Sequence, residues 1–117
     1  MANLTVWPIL EHSVKLWASD IHMSEWENIA FRVHGELWKI NWWVLDKIKS
    51  RQILLELMGD NKDLAKEFLE KKDADFSYIH TDWTPFRVNA FFKLWKLGFV
   101  LRRISSEPKS MEELGLP

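Results

Sequence analysis

The sequence predicts a mainly α protein, a helical bundle with at most a short β hairpin, on three observations. Ser24-Glu25-Trp26-Glu27 has the form of a capping box, in which the serine accepts from an amide three residues on and the glutamate reaches back to the cap amide. Behind it Trp26, Ile29, Val33, Leu37, Ile40, Val44 and Ile48 recur at intervals of three or four, the spacing of one helical face. Thr84-Pro85 supplies a second N-cap with proline at the first helical position, where a missing N–H is harmless.

The elements follow in order. A first helix opens at Thr5 or Trp7, with Pro8 in its first turn, and carries Leu10, Val14, Trp17 and Ile21. The second runs from Ser24 through the long stripe. Gly35 in its middle costs about 1 kcal/mol against alanine and marks a close crossing, a bend or nothing. The periodicity continues through Ile53, Leu54, Leu57 and Met58 to Gly59, and whether residues 24–58 form one rod stays open. Asp60 or Asn61 caps a third helix over Leu64, Ala65, Phe68 and Leu69 to about Lys72. Phe76, Tyr78 and Ile79 suit a short strand or a helical turn. A helix from Thr84 to Leu97 buries Val88, Phe91, Phe92 and Trp95 and stops at Gly98, and Phe99 to Ile104 has strand composition. Ser105 to Ser110 reads as a turn and the last residues as a short acidic helical turn. No internal repeat is visible. The expected organisation is one domain over 1–117, with N-terminal helices in 5–72, a segment 73–106 and a tail 107–117.

Composition sets limits on function. The 117 residues are 47% hydrophobic and 28% charged, ordinary globular usage. The absence of cysteine excludes disulfides, thiolate metal sites and cysteine nucleophiles, and suits a reducing, cytoplasmic setting. No apolar run is long enough to span a membrane, and no membrane partner is expected. The four histidines lack zinc-site spacing, and there is no glycine-rich phosphate loop or nucleophile elbow, so the sequence predicts no enzyme, no cofactor and no metal. Eight tryptophans in so short a chain exceed what one core needs. Trp38, Trp42 and Trp43 cannot share one helical face, so part of this group is expected at a partner surface or a self-association surface.

The net charge of −1 conceals an uneven distribution, because 83–106 holds Arg87, Lys93, Lys96, Arg102 and Arg103 and no acid. The stretch from Trp83 to Arg103 resembles the end of a winged-helix domain: Thr84, Val88, Phe92, Trp95, Gly98, Val100, Arg102 and Arg103 take the places of the cap, recognition helix, glycine and basic strand. That resemblance implies duplex DNA as partner. Arg87 and Asn89 would read bases, with Lys93, Lys96, Arg102 and Arg103 on phosphates. The leading expectation is a small DNA-binding regulator or replication accessory factor. The alternative is a protein-binding module, an inhibitor, adaptor or obligate dimer, using a Trp-rich helical surface.

Overall fold

A computed structural model of the chain describes residues 5–59 and 61–104. Helix α1 (Trp7–Leu16) begins as expected, with Pro8 in its first turn, but it ends at Trp17, whose left-handed backbone (φ 55°) turns the chain before Ile21. There the expected bundle gives way to a sheet. Strands β1 (Asp20–Ser24), β2 (Asn28–Val33) and β3 (Glu36–Val44) occupy the place of the long second helix, followed by helices α2 (Lys47–Met58) and α3 (Lys62–Lys71) and strands β4 (Asp73–Ile79), β5 (Pro85–Lys93) and β6 (Lys96–Arg103). The six strands form one sheet in the order β3-β2-β1-β6-β5-β4, with every pairing antiparallel. The mainly α expectation is therefore corrected to a six-stranded antiparallel sheet with three helices among the described residues.

The physical reason lies in what the apolar residues do. Ile29, Phe31 and Val33 alternate along β2 toward the core, and residues of β3 complete the apparent stripe only after a turn. Aromatic and β-branched residues crowd 26–44, and they fit a pleated surface better than a helix. The supposed capping box is a turn: Trp26 is left-handed at φ 66°, and Glu27 N donates to the Ser24 carbonyl at 3.0 Å. His34 and Gly35, both at positive φ, close the β2–β3 hairpin in two residues.

The same misreading explains the second predicted helix. Phe86, Val88, Ala90 and Phe92 alternate inward along β5, so the residues of Thr84 to Leu97 form a strand, a two-residue turn at Leu94-Trp95 and the start of β6. Gly98 stops nothing; it lies in β6 opposite Phe91, where a Cβ would come within 2.8 Å of the phenyl ring. Other expectations hold locally. Asn61 caps α3 by accepting from Leu64 N at 3.0 Å, and the strand expected from Phe99 is inside β6; α2 instead opens at an unexpected cap, Asp46 accepting from Lys49 N at 2.7 Å. The expected turn and acidic helical turn at 105–117 lie outside the described residues.

Helices α1, α2 and α3 bury Ile9, Leu10, Ile53, Leu54, Leu57 and Phe68 against one face of the sheet, where Ile21, Phe31, Phe86, Phe99 and Leu101 are almost wholly enclosed. The other face carries the outward residues of the same strands. No described helix is long and apolar enough to cross a membrane.

Candidate functional site

The outward face is built by register. Asp20 of β1 pairs with Arg32 on β2 and Arg102 on β6, and Arg102 pairs with Arg87 on β5, so three arginines and an aspartate form a row across four strands. In the next row His22 lies beside Val100, then Asn89, then Asp75. Together these residues line a shallow hollow of about 430 Å³.

The charges there are largely satisfied within the face. Arg87 donates to both oxygens of Asp75, at 3.0 and 2.8 Å, a two-pronged pair that holds the Asp75 carboxyl below the usual carboxylate range. Arg102 Nε donates to Asp20 at 3.3 Å, and Ser19 Oγ donates to the other Asp20 oxygen at 2.7 Å. Burial, with help from Arg32 and Arg102 and against the pull of Asp20, pushes the His22 imidazole below its ordinary value, which favours the neutral ring at neutral pH. Its Nε2 is buried and finds no partner among the described residues. Such a surface suits a polar contact.

The contact residues expected from the sequence are thus divided. Arg87, Asn89 and Arg102 share the outward face; Lys93 and Lys96 face each other across the β5–β6 turn; Arg103 lies with its guanidinium 4.5 Å over the Trp17 ring. They do not form a recognition helix, because Arg87, Asn89 and Lys93 belong to a strand whose neighbours already hold its backbone hydrogen bonds on both sides.

The tryptophan group is likewise on a strand. Trp38, Trp42 and Trp43 belong to β3, an edge of the sheet, and a register shift lets Trp42 stack flat on Trp43, rings 5.5 Å apart. Trp43 packs toward Phe31 and His12, while Trp38 and Trp42 are exposed. Beside them an apolar groove of about 410 Å³ runs between α1 and β3, lined by His12, Leu16, Val33, Trp38 and Ile40. An edge strand with unpaired backbone groups and exposed tryptophans is a ready contact surface.

Two features escaped the sequence. Glu25, read as part of a capping box, is almost fully buried, accepts from Arg51 Nη1 at 3.0 Å and Leu97 N at 3.2 Å, and so ties the β1–β2 turn to α2 and β6. Burial would raise its carboxyl, but the Leu97 amide and Arg51 outweigh it and hold the group below the ordinary glutamate range. The other is the turn Leu94-Trp95, with both residues left-handed (φ 53° and 67°), and no glycine, asparagine or aspartate to announce it.

Comparison with known proteins gives this surface a context. No family model matches the chain. The type IV pilus retraction ATPase PilT of Pseudomonas aeruginosa is 35% identical over 108 residues, which cover 92% of this chain and 31% of the relative. The type IV pilus ATPase PilU of the same organism is 28% identical over 109 residues, covering 93% of this chain and 28% of PilU. The chain thus spans less than a third of the length of the curated relatives it matches. Among solved structures, the pilus retraction motor PilT with bound ADP superposes with a TM-score of 0.79 at 24% identity, over 98% of this chain and 33% of that one. The Legionella pneumophila ATPase DotB gives 0.69 at 27% identity, over 100% and 33%.

These findings overturn the winged-helix resemblance, the DNA-binding regulator and duplex DNA as partner, since the relatives are type IV pilus ATPases and the structural neighbours are ATPases. They equally overturn the helical Trp-rich module and the expectation of no enzyme, since the relatives of which the chain covers about a third are ATPases.

Proposed function

We propose that this chain is the β-rich, N-terminal domain of an ATPase motor of the pilus retraction type, forming one folding unit within it and working on the cytoplasmic side of a membrane. The observation that carries the reading is the 35% identity to PilT along nearly the whole chain, joined to a shared fold. The sequence holds no glycine-rich phosphate loop, so in such a motor the nucleotide phosphates are cradled by chain outside these residues. The contribution of this domain is then to position and transmit. It presents the exposed edge of β3, with Trp38, Trp42 and the apolar groove beside them, to another part of the assembly. The outward face with Arg87, Asn89, Arg102 and Asp20 supplies polar contacts whose pairs exchange partners on docking. The cytoplasmic setting is supported by the lack of cysteine, which suits a reducing compartment.

The test is a chimera in which this chain replaces the matching 108 residues of the Pseudomonas PilT. A chimera that is folded, hydrolyses ATP and restores pilus retraction in cells lacking PilT is the expected result. A folded, abundant chimera that hydrolyses no ATP would overturn the proposal.

A further inference from the structure

The β5–β6 turn breaks three local rules at once. Leu94 and Trp95 both adopt left-handed backbone, which costs most residues energy and which Asn-Gly would adopt freely. They are also the two most exposed large hydrophobic residues described, at 84% and 94%. At the base of the turn Lys93 and Lys96 sit directly opposite each other, a like-charge pair that disfavours the hairpin. Nothing about folding asks for this sequence, and strain of this kind persists where function requires it.

The surroundings define the chemistry. Ser24 pairs with Gly98, and Glu25 N donates to the Leu97 carbonyl at 2.9 Å, so the β1–β2 turn with exposed Trp26 projects from the same end of the sheet. Trp26 N donates to the Leu45 carbonyl at 2.7 Å, bringing exposed Ile48 of α2 to that end. Below the tip a hollow of about 580 Å³ is lined by Lys47, Arg51, Lys72 and Phe92. Of the carboxylates at this end, Glu25 is neutralised by Arg51, Glu27 lies by Lys93 and Lys96, Asp46 caps α2 beside Lys47, and Asp73 follows Lys72 opposite Phe91. The result is a projecting apolar tip of leucine and tryptophan within a collar of cations.

We propose that this end of the sheet docks on an anionic lipid bilayer, with Leu94 and Trp95 entering the headgroup region and Lys47, Lys72, Lys93 and Lys96 on the lipid phosphates. A tip offered to a protein would need a pocket shaped for it, whereas a bilayer interface accepts any apolar projection, favours tryptophan at headgroup depth and draws in lysines whose stems lie along the apolar boundary. The inference stands on this geometry and not on membership of a motor; the chimera and the vesicle experiment fail separately.

The experiment is co-sedimentation of the full chain with vesicles of phosphatidylcholine alone and of equal parts phosphatidylcholine and phosphatidylglycerol. Binding to the anionic vesicles, release by high salt and little binding to the neutral ones are expected. Leu94→Asn with Trp95→Gly removes the tip while giving the turn its preferred sequence, so binding is lost and the melting temperature holds or rises. Lys93→Gln with Lys96→Gln weakens binding by about thirtyfold, and Trp83→Ala, in an exposed turn at the opposite end of the sheet, leaves it unchanged. Absence of binding to anionic vesicles, undiminished binding by Leu94→Asn with Trp95→Gly, or equal binding to neutral vesicles would each overturn the proposal.

Discussion

The sheet closes two hairpins with the same backbone and opposite side chains. In the first meander β2 turns into β3 through His34 and Gly35; in the second β5 turns into β6 through Leu94 and Trp95, and all four residues are left-handed. The turn before each also contains a left-handed tryptophan, Trp26 in one and Trp83 in the other, so the two meanders repeat a backbone plan that the sequence does not display as a repeat. The first tip uses glycine where left-handed backbone asks for it; the second uses residues that resist it. The supports differ as well. Arg32 Nη1 donates to the Gly35 carbonyl at 3.0 Å on an exposed rim, whereas the second tip is anchored below by buried Glu25 on the Leu97 amide. A strained turn endures because packed structure over-determines it, and an unstrained one needs little help.

The largest expected effect comes from removing that anchor. Glu25→Leu leaves the Leu97 amide without its acceptor and Arg51 without its partner, and should destabilise the fold by about 2 kcal/mol, with amide exchange rising first at the β5–β6 turn. Urea unfolding and hydrogen exchange measure both; protection unchanged near Lys96 to Gly98 would show that the anchor is not what holds the strained tip. Next in size is Gly35→Val. No atom lies within 4 Å of where a Cβ would be, so the cost is purely conformational, about 1–2 kcal/mol for a β-branched residue at φ 82°. A neutral outcome would mean that the first tip tolerates strain as the second does, and the contrast between them would collapse.

How much of this was legible in the sequence depends on which signals compete. The start of α1 at Pro8, the Asn61 cap of α3 and the strand from Phe99 were readable because each rests on local chemistry. The sheet was not, because Ile29, Val33, Leu37, Ile40 and Val44 fit a period of 3.6 across two strands joined at Gly35, behind a false capping box. His34-Gly35 was the available hairpin signal. Leu94-Trp95 carried none, since its turn is specified by Glu25 seventy residues away. Of the site, Arg87 and Arg102 were singled out by charge and Asn89 through the winged-helix resemblance, and the three do share a face, but Asp20, His22, Arg32 and Asp75 reach it only through strand register.

The third prediction inverts the usual sign of a double substitution. Leu94→Asn with Trp95→Gly exchanges two resisting residues for the pair that type I′ turns prefer, and buries or exposes nothing in the core, so stability should rise by about 1 kcal/mol. His34→Asn, which with the native Gly35 gives the first tip the same Asn-Gly sequence, should change stability by only a few tenths of a kcal/mol. Thermal unfolding of both variants separates a tip shaped by folding from one shaped by use.

The smallest effect is pH dependence, and its sign follows from Glu25. The carboxyl is held below the ordinary glutamate value by the Leu97 amide and Arg51, so the folded state binds this proton less readily than the unfolded chain. Its contribution is complete above the unfolded value, near 4.3, and is lost as pH falls through the depressed folded value. Asp75, held down by Arg87, acts in the same direction, but that pair is exposed and solvent screens most of its effect. Acid unfolding of the native chain should therefore steepen below about pH 4.3. In Glu25→Gln the Leu97 amide keeps an acceptor while the titration is gone, so the slope should flatten with only part of the Glu25→Leu loss at neutral pH. Equal slopes in the two proteins would place the acid-sensitive group elsewhere and leave the second tip held by packing alone.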